Sequence, residues 1–126
     1  MRKAITIPLA IALLIPLAFA TSTAYRVPTA EVVYLEGDAR PETVATVEFE
    51  VAGLKCRGMA GTFSEQIKVV PGVVSFIAYA RTHTAIIEYD PTLTDPDAIR
   101  EAFEAPMVVE GTTYNDVFEM VSQKAR

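Results

Sequence analysis

The chain has one cysteine, Cys56, and one histidine, His83, in 126 residues. A single cysteine excludes an internal disulfide, so in an oxidising compartment the thiol must be buried, bound to a metal or paired with another molecule. One histidine and one cysteine do not supply a nucleophile, a base and an orienting group together, and no glycine-rich phosphate loop follows a strand, so the sequence argues against an enzyme. A resolving cysteine for thiol redox chemistry is missing too. The acidic residues are scattered along solvent faces without the spacing of a calcium loop. No repeat or low-complexity stretch divides the chain.

Basic residues are the next shortage: 11 against 16 acidic ones, a net charge of −5. Two of them, Arg2 and Lys3, precede an uncharged apolar run from Ala4 to Ala20, which Ser22-Thr23-Ala24 follows. Residues 1–24 read as an export signal, with Ala18-Phe19-Ala20 and Ser22-Thr23-Ala24 both fitting a small-x-small cleavage pattern. The run also approaches the length of a bilayer span, so a retained N-terminal membrane anchor is the alternative. Pro8 and Pro16, which kink an isolated helix, favour the signal. Under either reading the basic start stays inside and the rest lies outside the cytoplasmic membrane, periplasmic or extracellular, secreted or tethered. Without Arg2 and Lys3, nine basic residues face 16 acidic ones, a net charge near −7. Such a surface repels nucleic acid and anionic lipid.

About 100 residues then remain for one domain. Residues 25–42 read as a tether, in which Val32-Val33-Tyr34-Leu35 is an optional strand before the Gly37-Asp38 turn. From Thr46 to Val51, Val47, Phe49 and Val51 alternate with polar neighbours, the period of a strand with one buried face. Phe63, Ile67 and Val70 recur at helical spacing until Pro71-Gly72. Val73–Ala80 and Thr84–Tyr89 form a hairpin about Arg81-Thr82-His83. Asp95-Pro96-Asp97 opens a second helix as N-cap, first-turn proline and dipole-favourable acid, with Ile99, Ala102 and Phe103 as its apolar stripe and Pro106 at its end. Met107–Val109 is a short strand before the Glu110-Gly111 turn, and Val117–Val121 a further strand.

The order β-α-β-β-α-β predicts an α+β fold: a ferredoxin-like sandwich with two helices on one face of an antiparallel sheet and a C-terminal strand extension. Residues 43–122 make up this domain. In that topology Cys56, His83 and Met107 share one end of the sheet. On the opposite, open face, Ile77, Tyr79 and Ile86 form an apolar patch whose expected cover is the segment Tyr114–Val121.

Cys56 stands in Gly53-Leu54-Lys55-Cys56-Arg57-Gly58-Met59, between the first strand and the first helix. Backbone N–H groups and the positive end of a helix dipole favour the thiolate form that binds soft metals, and Lys55 and Arg57 act in the same sense. Met59 stands where a second thiol would complete a pair. It also precedes Phe63 by four residues, and so equally continues the apolar stripe into the core. Cys56 itself can be read as a small buried hydrophobe, and His83 as a solvated turn residue.

The stretch from about Thr43 to Pro106 resembles the heavy-metal-associated domain family of copper chaperones and periplasmic mercury-binding proteins. The resemblance rests on Gly53-Leu54-Lys55-Cys56, on Pro71-Gly72-Val73, on Ala85-Ile86-Ile87-Glu88-Tyr89-Asp90 and on Ile99, in order and at family spacing. It implies a soft metal ion, Cu(I) first and Hg(II) second, and a metal-transporting or metal-accepting protein as partner. It also implies ligation by Cys56, with Met59 in the place of the family's second cysteine; Met107 or His83, at the same end of the sheet by topology, is the expected helper. A protein-interaction module with an incidental cysteine is the competing reading. The expected state is a monomer, with a homodimer as alternative.

Overall fold

The computed structural model describes residues 27–126; the export signal or anchor expected at residues 1–24 lies outside the described residues. The alternating segment becomes strand β2 (Ala45–Ala52), with Val47, Phe49 and Val51 buried. It is preceded by β1 (Ala30–Val33) and followed by α1 (Arg57–Ile67), β3 (Val73–Tyr79), β4 (Thr84–Tyr89), α2 (Pro96–Glu104), β5 (Met107–Val109), β6 (Thr112–Tyr114) and β7 (Glu119–Ala125). Five strands form one sheet in the order β1-β3-β4-β2-β7, every neighbouring pair antiparallel. Both helices bury their apolar stripes on it, α1 through Ala60, Phe63 and Ile67, α2 through Ile99 and Phe103. The fold is the expected ferredoxin-like sandwich.

Aromatic packing holds the two layers together. Phe63 of α1 lies 5.0 Å from the Phe103 ring of α2 and 5.2 Å from Phe76 of β3, while Phe103 meets Phe49 of β2 edge-on at 5.2 Å. Phe118 closes the cluster, its ring edge-on to Phe63 at 5.1 Å. The expected start of α2 is realised: Asp95 Oδ1 accepts a hydrogen bond from the Ala98 N–H at 2.8 Å, with Pro96 in the first turn.

The sheet's edges depart from the sequence reading. Met107–Val109 does not enter the main sheet. It pairs with β6 through Glu110 (φ 50) and Gly111 (φ 81), two left-handed residues that suit a tight two-residue hairpin turn. The place beside β2 goes to β7, which pairs along it from Val47↔Ala125 to Ala52↔Glu119 with a bulge at Glu50/Val51. The reason is burial: Phe118 and Met120 reach the core, whereas Val108 and Val109 are exposed. The optional N-terminal strand forms two residues earlier than expected, at Ala30–Val33, against β3. Tyr34 follows it and donates a 2.7 Å hydrogen bond to the Ser64 carbonyl of α1.

The C-terminal segment does not cover the open face. Because β7 lies edge-to-edge with β2, Ile77, Tyr79 and Ile86 remain partly exposed there, with Ile77 and Ile86 paired across β3 and β4 between Glu31 and Glu48. No helix among the described residues is long and apolar enough to cross a membrane.

Candidate metal centre

The loop that carries Cys56 is fixed before it reaches the thiol. At the end of β2 the Val51 N–H donates to the His83 carbonyl at 2.7 Å. Gly53 follows with φ +94, a conformation that a side chain disfavours, and the Val117 carbonyl fills the space where its Cβ would stand. Leu54 is fully buried in the core, while its carbonyl lies 3.0 Å from His83 Nδ1. A carbonyl only accepts, so Nδ1 carries the proton and donates.

Cys56 is the N-cap of α1, in extended conformation with φ −152 and ψ 174. Its side chain makes no capping hydrogen bond, and the thiol is free and exposed. The sulfur lies back over the first turn: a Cβ on Gly58 would stand 3.9 Å from Sγ. The first N–H groups of a helix have no intrahelical acceptor, so the thiol meets the positive end of α1. Lys55 and Arg57 flank it, both exposed. An uncapped, accessible sulfur in this setting can take a soft ion from one side and leave the other side to a second donor.

The remaining predicted ligands are placed differently from one another. Met59 stands three residues after Cys56, partly buried and packed against the core, as the continued apolar stripe anticipated. His83 is in the turn after β3, left-handed at φ 53, with one ring nitrogen on the metal loop. Met107 opens β5 opposite Tyr114, partly buried, in the small hairpin and not in the main sheet. Among the described residues no group of three His, Cys, Asp or Glu side chains converges to hold a metal.

Sequence reasoning did not single out Gly53 or Val117 as supports of the loop. The pairing of a glycine in a turn with a carbonyl more than sixty residues later leaves no local trace. Beside the loop a cleft of about 240 Å³ is lined by Glu50, Ala52, Gly53, Lys55, His83 and Val121. It leaves open space between the sheet end and the Cys56 turn.

Residues 48–107 match the heavy-metal-associated domain family. No curated protein sequence matches the chain. Among solved structures, oxidized MerP from Ralstonia metallidurans CH34 is 25% identical, covering 48% of this chain and 83% of its own, with a TM-score of 0.45. A copper binding domain from HMA7, a P-type ATPase, is 18% identical over 64% of this chain and 97% of its own, at a TM-score of 0.47. The N-terminal domain of a potential copper-translocating P-type ATPase from Bacillus subtilis, solved in the Cu(I)-loaded state, is 16% identical over 65% of this chain and 92% of its own, at 0.48. Over residues 48–107 the chain is thus similar to heavy-metal-associated domains.

Proposed function

We propose that this domain binds a soft metal ion through Cys56, Cu(I) first and Hg(II) second, and passes it to a metal-transporting or metal-accepting protein outside the cytoplasmic membrane. The observation that carries the reading is the exposed, uncapped Cys56 thiol at the N-terminus of α1, within the segment that matches the family. Proteins of similar fold in the comparison include a Cu(I)-loaded domain and a copper binding domain. The export signal or anchor expected from the sequence of residues 1–24 supports the location, and the main sheet begins with β1 at Ala30.

One thiolate is a weak site for a d10 ion, which takes at least two strong donors. Met59 offers a thioether from the first turn of α1, and Met107, in the β5–β6 hairpin, is the further thioether available; the open side of Cys56 leaves room for a partner's thiol. Capture and release then proceed by ligand exchange, with no bond of the protein made or broken other than to the metal. A non-metal interaction module is the second reading, favoured by the packing of Met59 against the core.

Titration of the reduced protein with Cu(I) in competition with a chromophoric chelator decides between them. The metal reading requires binding in the wild type that Cys56→Ser abolishes, with thiolate-to-metal absorption appearing only in the wild type. Equal binding by both proteins refutes ligation by Cys56, and no binding by either leaves the module.

A further inference from the structure

We infer that His83 is a positioning residue for the metal loop, acting through its ring Nδ1–H. Three observations converge on it. Its backbone is left-handed at φ 53, a conformation that histidine, asparagine and aspartate adopt more readily than most residues. Its carbonyl accepts from the Val51 N–H at 2.7 Å, and its ring Nδ1–H donates to the Leu54 carbonyl at 3.0 Å. The β3–β4 turn is thus fastened to the metal loop on both sides of Ala52-Gly53, two residues before the thiol.

The chemistry follows from the ring. With Nδ1–H committed to Leu54, Nε2 keeps its lone pair, so the positioning role belongs to the Nδ1 side of the ring alone. The Leu54 side chain is fully buried, so core packing fixes one side of the residue and His83 the other. A loop held in its bound geometry loses less conformational freedom when the ion arrives, which raises affinity without any new contact to the ion. The role rests on Cys56 being the metal ligand, but its effect on the loop is readable without metal.

The test uses His83→Gly and His83→Asn in the full chain. Glycine keeps the left-handed backbone and removes the ring donor; asparagine tolerates the same backbone and returns an N–H. Amide hydrogen exchange is followed in the metal-free protein, and Cu(I) affinity by chelator competition. Loss of one net hydrogen bond predicts roughly fivefold faster exchange at residues 53–56 and roughly fivefold weaker Cu(I) binding in His83→Gly. His83→Asn should recover most of both. Loop exchange unchanged in His83→Gly overturns the inference, as does a rise spread evenly over the core. It is also overturned if both variants lose Cu(I) equally while the His83→Asn loop stays protected, since the ring is then a ligand. If metal binding itself proves independent of Cys56, the exchange of the metal-free loop still decides the positioning role.

Discussion

The Val117 carbonyl stands where a side chain on Gly53 would have to go. The segment leading into β7 therefore presses on the loop leading to Cys56, and the C-terminal strand takes part in shaping the candidate site. Gly53→Ala must displace Val117 as well as strain a backbone at φ +94. A loss of at least about 2 kcal/mol is expected from the strain alone. Urea unfolding of the reduced protein measures it, and a variant as stable as the wild type would show that the contact is dispensable.

Met59→Cys restores a second thiol within one turn of Cys56. Two thiolates hold Hg(II) better than a thiolate and a thioether, so Hg(II) affinity should rise by roughly tenfold or more. Competition with a small dithiol reads the change. No gain would mean that position 59, packed against the core, cannot turn toward the ion.

Phe118→Ala removes a fully buried ring from the cluster with Phe63. The expected cost is about 3–5 kcal/mol. Because Phe118 immediately precedes β7, the same variant should speed amide exchange along Glu119–Ala125 more than along β1.

Burial raises the Tyr34 hydroxyl from its ordinary 10.0 to about 12, with the nearby Glu65 charge adding to the rise. The neutral phenol is the form the fold favours. Its contribution is complete below pH 10.0 and is lost as pH climbs from there toward 12. Tyrosinate absorbance should show one late-titrating group in the wild type that Tyr34→Phe lacks. That variant should also lose about 1 kcal/mol at neutral pH through the missing hydrogen bond.

The Ser75 hydroxyl, 2.7 Å from Glu88, and then Arg40 hold the Glu88 carboxyl below its ordinary value. A lowered carboxyl stabilises the fold above the unfolded value of 4.5, and that stability drains away as pH falls through the folded value. Glu88→Gln should therefore flatten the stability profile below pH 4.5. A profile that keeps the wild-type slope would assign the acid sensitivity to other carboxylates.

Local chemistry made much of the fold readable. Val47, Phe49 and Val51 name the buried face of β2, and Asp95-Pro96-Asp97 begins α2 where the capping rules put it. The strand beside β2 was harder to place, because Met107-Val108-Val109 has the stronger strand composition while Glu119–Ala125 is polar on most positions. Pairing over some seventy residues decided it, through Phe118 and Met120 reaching the core. At the site, the position of Cys56 at a strand-to-helix turn was legible from Gly53-Leu54-Lys55-Cys56. The contact of His83 with Leu54 was not, although the topology put both turns at one end of the sheet, because it depends on the register of β4 along β2.

Strand β1 runs antiparallel to β3 with Ala30 opposite Ala78, and Thr29 receives the Ala80 N–H just ahead of the His83 turn. The polypeptide therefore joins the sheet at the same pole as the thiol. A pull applied at Val27 would act on the domain from that pole, so the first described residue and the exposed Cys56 sulfur face one direction and the two helices' distant ends face the other.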